Sequence, residues 1–566
     1  MIAETLACLL LVLVVAAGLA RPVVARMGLA PAEALAAGAL LSLIVAWAID
    51  WAVFTSGCPL WGYWIAPALA VPHLVMGRRS LGAMLRDPDA RGLAAGQLLV
   101  TGWCVALLAF VKNHSGGAWT GDSFEHWERT LYFLRMWGHD RPFISIYALP
   151  ARPPLANVLV AGFLRMTTAD YAHYQVVSTA LCSLAYLPVG LLALRFGGGR
   201  AARMAALVLM VNPLFIQNAT YPWTKLEAAA FVLGGLYFLL RVRDGGPQRG
   251  ASAALCGLLL GGAVVTHYSA GPYVAAAAAA FLAMAWRAGP GLGSWRAAAA
   301  AALALACVAA PWFLWSAAEY GARSTLLSNT TVTMMQRVPG SLLVKMALNL
   351  RDTVIPPQLR GFHGTLFAQS SPWGALRDQA FIVYQLNLLL ALGSVGFAAT
   401  LREAARAWRA APAAARAFWP AFLACVVALS LAAYGDREHY GLAHICMQPL
   451  ILLGLAFLSS RWASLGPGWR AALAAGWALD FCLGIALQFA VEDFAIDRWL
   501  TPGRSLMEVS ATYTGVSQAN LAEKIIAHSA YFSDILTTRP AFVLALMGAL
   551  FCLALVRALR PQAGPA

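Results

Sequence analysis

An aspartate, a glutamate and a histidine crowd into the stretch Gly121-Asp122-Ser123-Phe124-Glu125-His126, behind the glycines Gly116 and Gly117. A carboxylate in such a place can take the proton from a hydroxyl as that hydroxyl attacks. The glycines loosen the chain ahead of Asp122, and the spacing then predicts a helix. Asp122, His126 and Arg129 fall at i, i+4 and i+7 on one face. Phe124, Trp127 and Leu131, with Leu134, recur on another and are expected to lie on the membrane interface. An N-cap aspartate followed by a solvated face is the plainer alternative.

Positive groups come next. Lys225, with Glu227 beside it, sits where Pro222-Trp223-Thr224-Lys225 opens a helix, and a lysine there opposes the helix dipole. An anionic ligand would explain it, and so would snorkelling to lipid phosphate. Thr266-His267-Tyr268-Ser269 puts His267 at a helix end, as a ligand or as a satisfied interfacial residue. Asp436, Arg437, Glu438, His439, Tyr440 and His444 gather in one turn between apolar runs, which is costly at a membrane edge. Arg437 and His439 offer donors for a phosphate. A self-paired solvated turn is the other reading.

The elements that must hold these groups are apolar helices. Hydrophobic residues make up 60% of the 566-residue chain and charged ones 11%, whereas a soluble domain carries roughly a quarter charged. Apolar runs near the roughly twenty residues that span a bilayer recur from end to end. The ten cysteines are scattered singly with no CxxC, so packing is expected of them rather than disulfides or zinc. Glu4 precedes the first apolar run and Arg21 and Arg26 follow it. That order predicts a retained first helix with its N-terminus outside, not a signal peptide.

Arginine clusters in short loops mark the cytoplasmic side. They fall at 21/26, 78/79/86/91, 195/200/203, 241/243/249, 287/296, 402/406/409/416, 461/470 and 557/560, which holds 22 of the 40 Lys+Arg. The net charge of +15 is thereby assigned to orientation and anionic lipid, and nucleic acid is not expected as a partner. The alternating path gives about fifteen spans in an all-α polytopic protein, among them 172–194, 203–216 and 379–400. Residues 155–166 are too short to cross and are read as a helix at or dipping into the outer interface. Nearly all acids and histidines fall outside, where loops 112–171, 318–378 and 491–540 are long enough to suggest function. Asp480 is the one clear acid within a span. Three regions result: N-terminal helices over 1–93, a core over 94–460, and C-terminal helices over 461–566.

These motifs, in this order and on this side, resemble the polytopic lipid-linked-sugar-dependent glycosyltransferases with the GT-C fold. The likeness is to the bacterial branch near dolichyl-phosphate-mannose-type mannosyltransferases and the lipid A aminoarabinose transferase. It covers roughly 94–460: the acid at Asp122, Arg152-Pro153-Pro154-Leu155, Pro222 to Lys225, Thr266 to Ser269, and the basic-aromatic turn before Met447-Gln448-Pro449. Two features depart from the family. Three extra helices precede the span that leads into the acidic loop, and the family's second acid has only Glu125 as a substitute.

The resemblance implies a polyprenyl-phosphate sugar donor, a lipid or glycan acceptor, and inverting transfer on the outer face of a bacterial inner membrane. It assigns catalysis to Asp122, Glu125 and His126, with Asp122 as general base. The donor phosphate falls to Lys225, Arg437, His439, Arg152, His267 and Tyr440. A divalent metal, Mg or Mn, serves some relatives and not others. An O-antigen polymerase or ligase is the nearest alternative and would need no carboxylate at 122. A transporter would need internal repeats and a polar path through the bilayer, and neither is visible.

Overall fold

The computed structural model describes residues 2–111, 120–139, 143, 147–246, 248–287, 292–328, 341–360, 372, 376, 379–380, 382–434, 441–491, 494, 532 and 540–559. These residues are overwhelmingly helical and form no strand beyond an isolated bridge between Phe143 and Tyr147. Among them nine helices are long and apolar enough to cross a membrane, and Leu60–Met76, Leu155–Arg165 and Phe542–Ala558 are shorter apolar helices. The sequence expectation of about fifteen also counts Lys225–Asp244 and Gln448–Arg461, which are helical. It divides the apolar stretch Tyr171–Val211 between 194 and 203, and the chain does leave the helical conformation there, at Gly197 and Gly198. That stretch bends where Gly198 takes φ +73, a backbone state that costs glycine little.

One expected span does not form as such. Over 379–400 the described chain gives a short helix, Leu388–Ala391, then Gly393 at φ +101, and a new helix only at Gly396–Ala410. Asp480 explains the break. Its Oδ2 accepts from the Ser394 N–H at 2.7 Å and the Ser394 hydroxyl at 3.1 Å, and Oδ1 accepts from Tyr384 at 3.3 Å. The intramembrane acid thus satisfies a broken backbone instead of lining a transport path. A second buried acid escapes the sequence analysis: Asp50, in Pro31–Thr55, is 4% exposed.

Helix Thr120–Arg135, which carries Asp122, does not lay an apolar face on the membrane interface. Trp127, Leu131 and Leu134 are buried, and the Phe124 side chain lies outside the described residues. Trp127 packs its ring 5.1 Å from Tyr174 and 5.8 Å from Tyr171. Phe133 meets Phe54 of Pro31–Thr55 at 4.9 Å. The face that periodicity alone assigns to lipid thus meets protein instead, with Trp127 among the tyrosines of Tyr171–Ser183. Leu155–Arg165, expected near the interface, is likewise enclosed, with every residue from Leu155 to Leu164 buried.

The opposite helix ends carry a different chemistry. Glu33 accepts from Arg241, from the Tyr237 hydroxyl at 2.7 Å and from the Ala30 N–H at 3.0 Å. Asp244 pairs with Arg195 and Arg243, and Glu403 with Arg402, Arg406 and Arg461. Glu33, Asp244 and Glu403 are thus structural partners of the arginine clusters around them.

Candidate active site

Asp122 stands in the first turn of Thr120–Arg135, where the helix dipole favours a carboxylate. It is half-buried, and its Oδ2 accepts from the Trp223 indole N–H at 3.2 Å. Burial pushes its pKa up; Arg152, Lys225 and the Trp223 bond pull it down without cancelling the rise. The result is a carboxylate more basic than an exposed aspartate, which suits a proton acceptor.

Glu125, one turn further on, has no exposed surface. Its Oε1 takes Arg129 Nε at 2.8 Å and Nη2 at 2.7 Å, and Arg152 Nε lies 3.7 Å from Oε2. Burial raises its pKa, but Arg152 and Arg129 more than reverse this, so it stays ionised. Arg129 also donates to Leu149 O at 2.8 Å and Ala148 O at 3.1 Å, with its guanidinium 4.5 Å above the Phe143 ring. It thereby fastens the helix of Asp122 to the Leu149–Ala151 turn that presents Arg152. The Arg152 side chain is nearly buried, with its guanidinium 5.3 Å from the Tyr147 ring. Burial lowers its pKa, and Glu125 and Asp122 more than restore it.

His126 points elsewhere. Its Nδ1 lies 3.3 Å from Asn157 Oδ1, and Asn157 donates to His126 O at 2.8 Å and Thr130 Oγ1 at 3.2 Å. Burial, helped by Arg152 and Arg129 and opposed by Glu125, takes its pKa down to about 4. A neutral imidazole bonded across to Leu155–Arg165 joins two helices.

Lys225 closes the site from the start of the Lys225–Asp244 helix. Its Nζ stands 4.0 Å over the Trp223 ring, so one indole contacts both the lysine and Asp122. His267 accepts the Ser269 N–H at 3.1 Å on Nδ1. Burial, then Lys225 and Arg152, holds its pKa well below the usual value, so the ring is neutral with its proton on Nε2. His444, 2% exposed, has its ring 6.1 Å from that of Trp223 and is also held neutral, first by burial and then by Lys225.

The structure thus gathers Asp122, Glu125, Arg152, Lys225 and His267, while Arg437, His439 and Tyr440 lie outside the described residues. Sequence reasoning names Trp223, Arg129 and His444 within its motifs but assigns none of them a role. Arg129 stands at i+4 from Glu125, a spacing that signals an ion pair. Trp223 lies two residues before Lys225, yet its contact with Asp122 spans 101 positions and leaves no local trace.

The charges do not cancel. Among the described residues, two carboxylates, Asp122 and Glu125, meet three cations, Arg129, Arg152 and Lys225, which leaves one positive charge in excess. Among the described residues no three His, Cys, Asp or Glu side chains converge in a way that could hold a metal ion. With Glu125 held by two guanidiniums, these residues do not fit the divalent metal that the resemblance allows.

No family model and no curated protein matches the sequence. Among solved structures, the chain is similar to the crystal structure of ArnT from Cupriavidus metallidurans bound to undecaprenyl phosphate. The identity is 14%, the TM-score 0.45, and the match covers 82% of this chain and 74% of that one. The apo structure of the same protein gives 15%, 0.42, 82% and 76%. At this level of superposition the functional reading rests on the side chains described above.

Proposed function

We propose that the chain is a membrane glycosyltransferase that moves a sugar from a polyprenyl-phosphate donor to a hydroxyl of a lipid or glycan acceptor. The observation that carries this is a half-buried, basic carboxylate beside an excess of positive charge: Asp122 against Arg152 and Lys225. Asp122 takes the acceptor hydroxyl proton as that oxygen attacks the anomeric carbon. The bond from that carbon to the phosphate oxygen breaks, and the electron pair leaves with the lipid phosphate. Lys225 and Arg152 meet the charge that develops there. Glu125 and Arg129 position Arg152 without touching the sugar. A single displacement inverts the anomeric centre.

The reading places the site on the outer face of a bacterial inner membrane. Lys225 begins a 20-residue helix whose last turn carries Arg241 and Arg243, roughly 24–27 Å away at 1.5 Å per residue. The arginine-rich end is the one expected in the cytoplasm.

Asp122→Asn tests the proposal. Transfer from a labelled polyprenyl-phosphate sugar in proteoliposomes should fall by about 10²–10⁴-fold while donor binding persists. A variant that turned over near the wild-type rate would overturn the assignment and favour a polymerase- or ligase-type enzyme.

A further inference from the structure

Away from the acids, an apolar cavity of about 510 Å³ opens among the N-terminal helices. It lies between Ile2–Gly18, Pro31–Thr55, Arg78–Arg86 and Pro88–Leu107. Its volume falls within the roughly 300–1,000 Å³ of ligand sites. Three lining residues are polar, Arg21, Ser80 and Gln97, and no carboxylate lines it. Arg21 donates from Nη2 to Ser80 Oγ at 3.0 Å, and its buried Nε has no hydrogen-bond partner. Deeper in, Gln97 is 5% exposed; its amide nitrogen bonds Thr101 and Ser183, while Oε1 is left without a donor.

The rim points the same way. Arg78–Arg86 is short and two-faced: Leu81, Met84 and Leu85 line the cavity, whereas Arg78, Arg79 and Arg86 are exposed. A helix of this kind lies in a bilayer interface, and its arginines attract anionic headgroups.

We infer that this cavity binds one anionic phospholipid, its acyl chain among the apolar walls and its phosphate on Arg21 and Ser80. Each half of the site excludes a simpler occupant. A free phosphate would satisfy Arg21 and leave the apolar volume empty. A neutral lipid would fill the volume and leave Arg21 without a counter-charge. The site gives the helices ahead of the acidic loop a role of their own, independent of the glycosyltransferase reading.

The test is native mass spectrometry of the full chain extracted from membranes containing phosphatidylglycerol. A Cβ on Gly38, which lines the cavity, would meet nothing within 4 Å, so Gly38→Phe can enter the space without disturbing the backbone. Wild type should retain one phosphatidylglycerol, Gly38→Phe should lose it, and Arg21→Gln should bind it at least about tenfold more weakly, the loss of one charged contact. A titration of wild type needs no variant: phosphatidylglycerol should raise Tm and phosphatidylcholine should not. Equal lipid retention by Gly38→Phe, or equal Tm shifts from the two lipids, would overturn the inference.

Discussion

The Trp223 indole N–H donates to Asp122 Oδ2 at 3.2 Å while the same ring lies 4.0 Å beneath Lys225 Nζ. One aromatic side chain thus holds the proposed base and the proposed phosphate partner at a fixed separation. Trp223→Phe keeps the ring and deletes the donor. Because that bond favours the ionised carboxylate, its loss raises the Asp122 pKa further. The acid limb of the kcat/KM profile should move to higher pH, and activity at pH 7 should fall about five- to tenfold, the worth of one hydrogen bond. An unmoved acid limb would separate Trp223 from the base.

Lys225→Met should act on the donor. Removing an ammonium from a lipid phosphate should raise donor KM by about 10- to 100-fold, with Lys225→Arg recovering part of it. Titration of the donor at fixed acceptor distinguishes this from a loss of kcat alone, which would place the lysine away from the phosphate.

Arg129→Met should unfold the site before it slows it. It strips the buried Glu125 carboxylate of its main partner and frees the turn at Ala148 and Leu149. Uncompensated buried charge costs about 3–5 kcal/mol, read as a large fall in Tm in detergent. Adding Glu125→Gln should return much of that Tm without returning activity, since Arg152 would remain unheld.

His126 predicts a pH window. Unfolded, its imidazole protonates near 6.5; folded, burial holds it neutral down to about 4. The unfolded chain therefore binds the proton first, and stability falls as pH drops from 6.5 toward 4, with no such loss above. His126→Gln should shrink the Tm difference between pH 7 and pH 5 relative to wild type. An unchanged difference would mean that this ring is not the source.

Gly441, the first described residue after Arg437 and His439, takes φ +90. A Cβ there would collide with Asp352 O and come within 2.6 Å of Leu386 O. Gly441→Ala should cost about 1–3 kcal/mol of backbone strain, measurable as a lower Tm.

Much of the architecture is legible in the sequence because a helix in lipid needs little beyond length and apolarity. The acidic helix is legible for a local reason, glycines followed by Asp122 and an apolar repeat. Its environment is not. Periodicity identifies the apolar face of Trp127, Leu131 and Leu134 but cannot tell lipid from another helix. Here the neighbours of Trp127 are Tyr171 and Tyr174, distant along the chain. Glu125 is read as a second acid, whereas its pairing with Arg129 and Arg152 makes it an anchor. The break at Gly393 is hidden because its compensating bonds come from Asp480, some ninety residues on.

The Lys225–Asp244 helix has a mechanical consequence. One end seats Lys225 against Trp223; the other seats Arg241 against Glu33. An α-helix advances about 1.5 Å and turns about 100° per residue. The two ends are therefore geared together: inserting one residue between them would put Lys225 or Arg241 on the wrong side of the rod. The helix is a ruler with both ends fixed, and its residue count sets the depth at which Lys225 would meet the proposed donor phosphate.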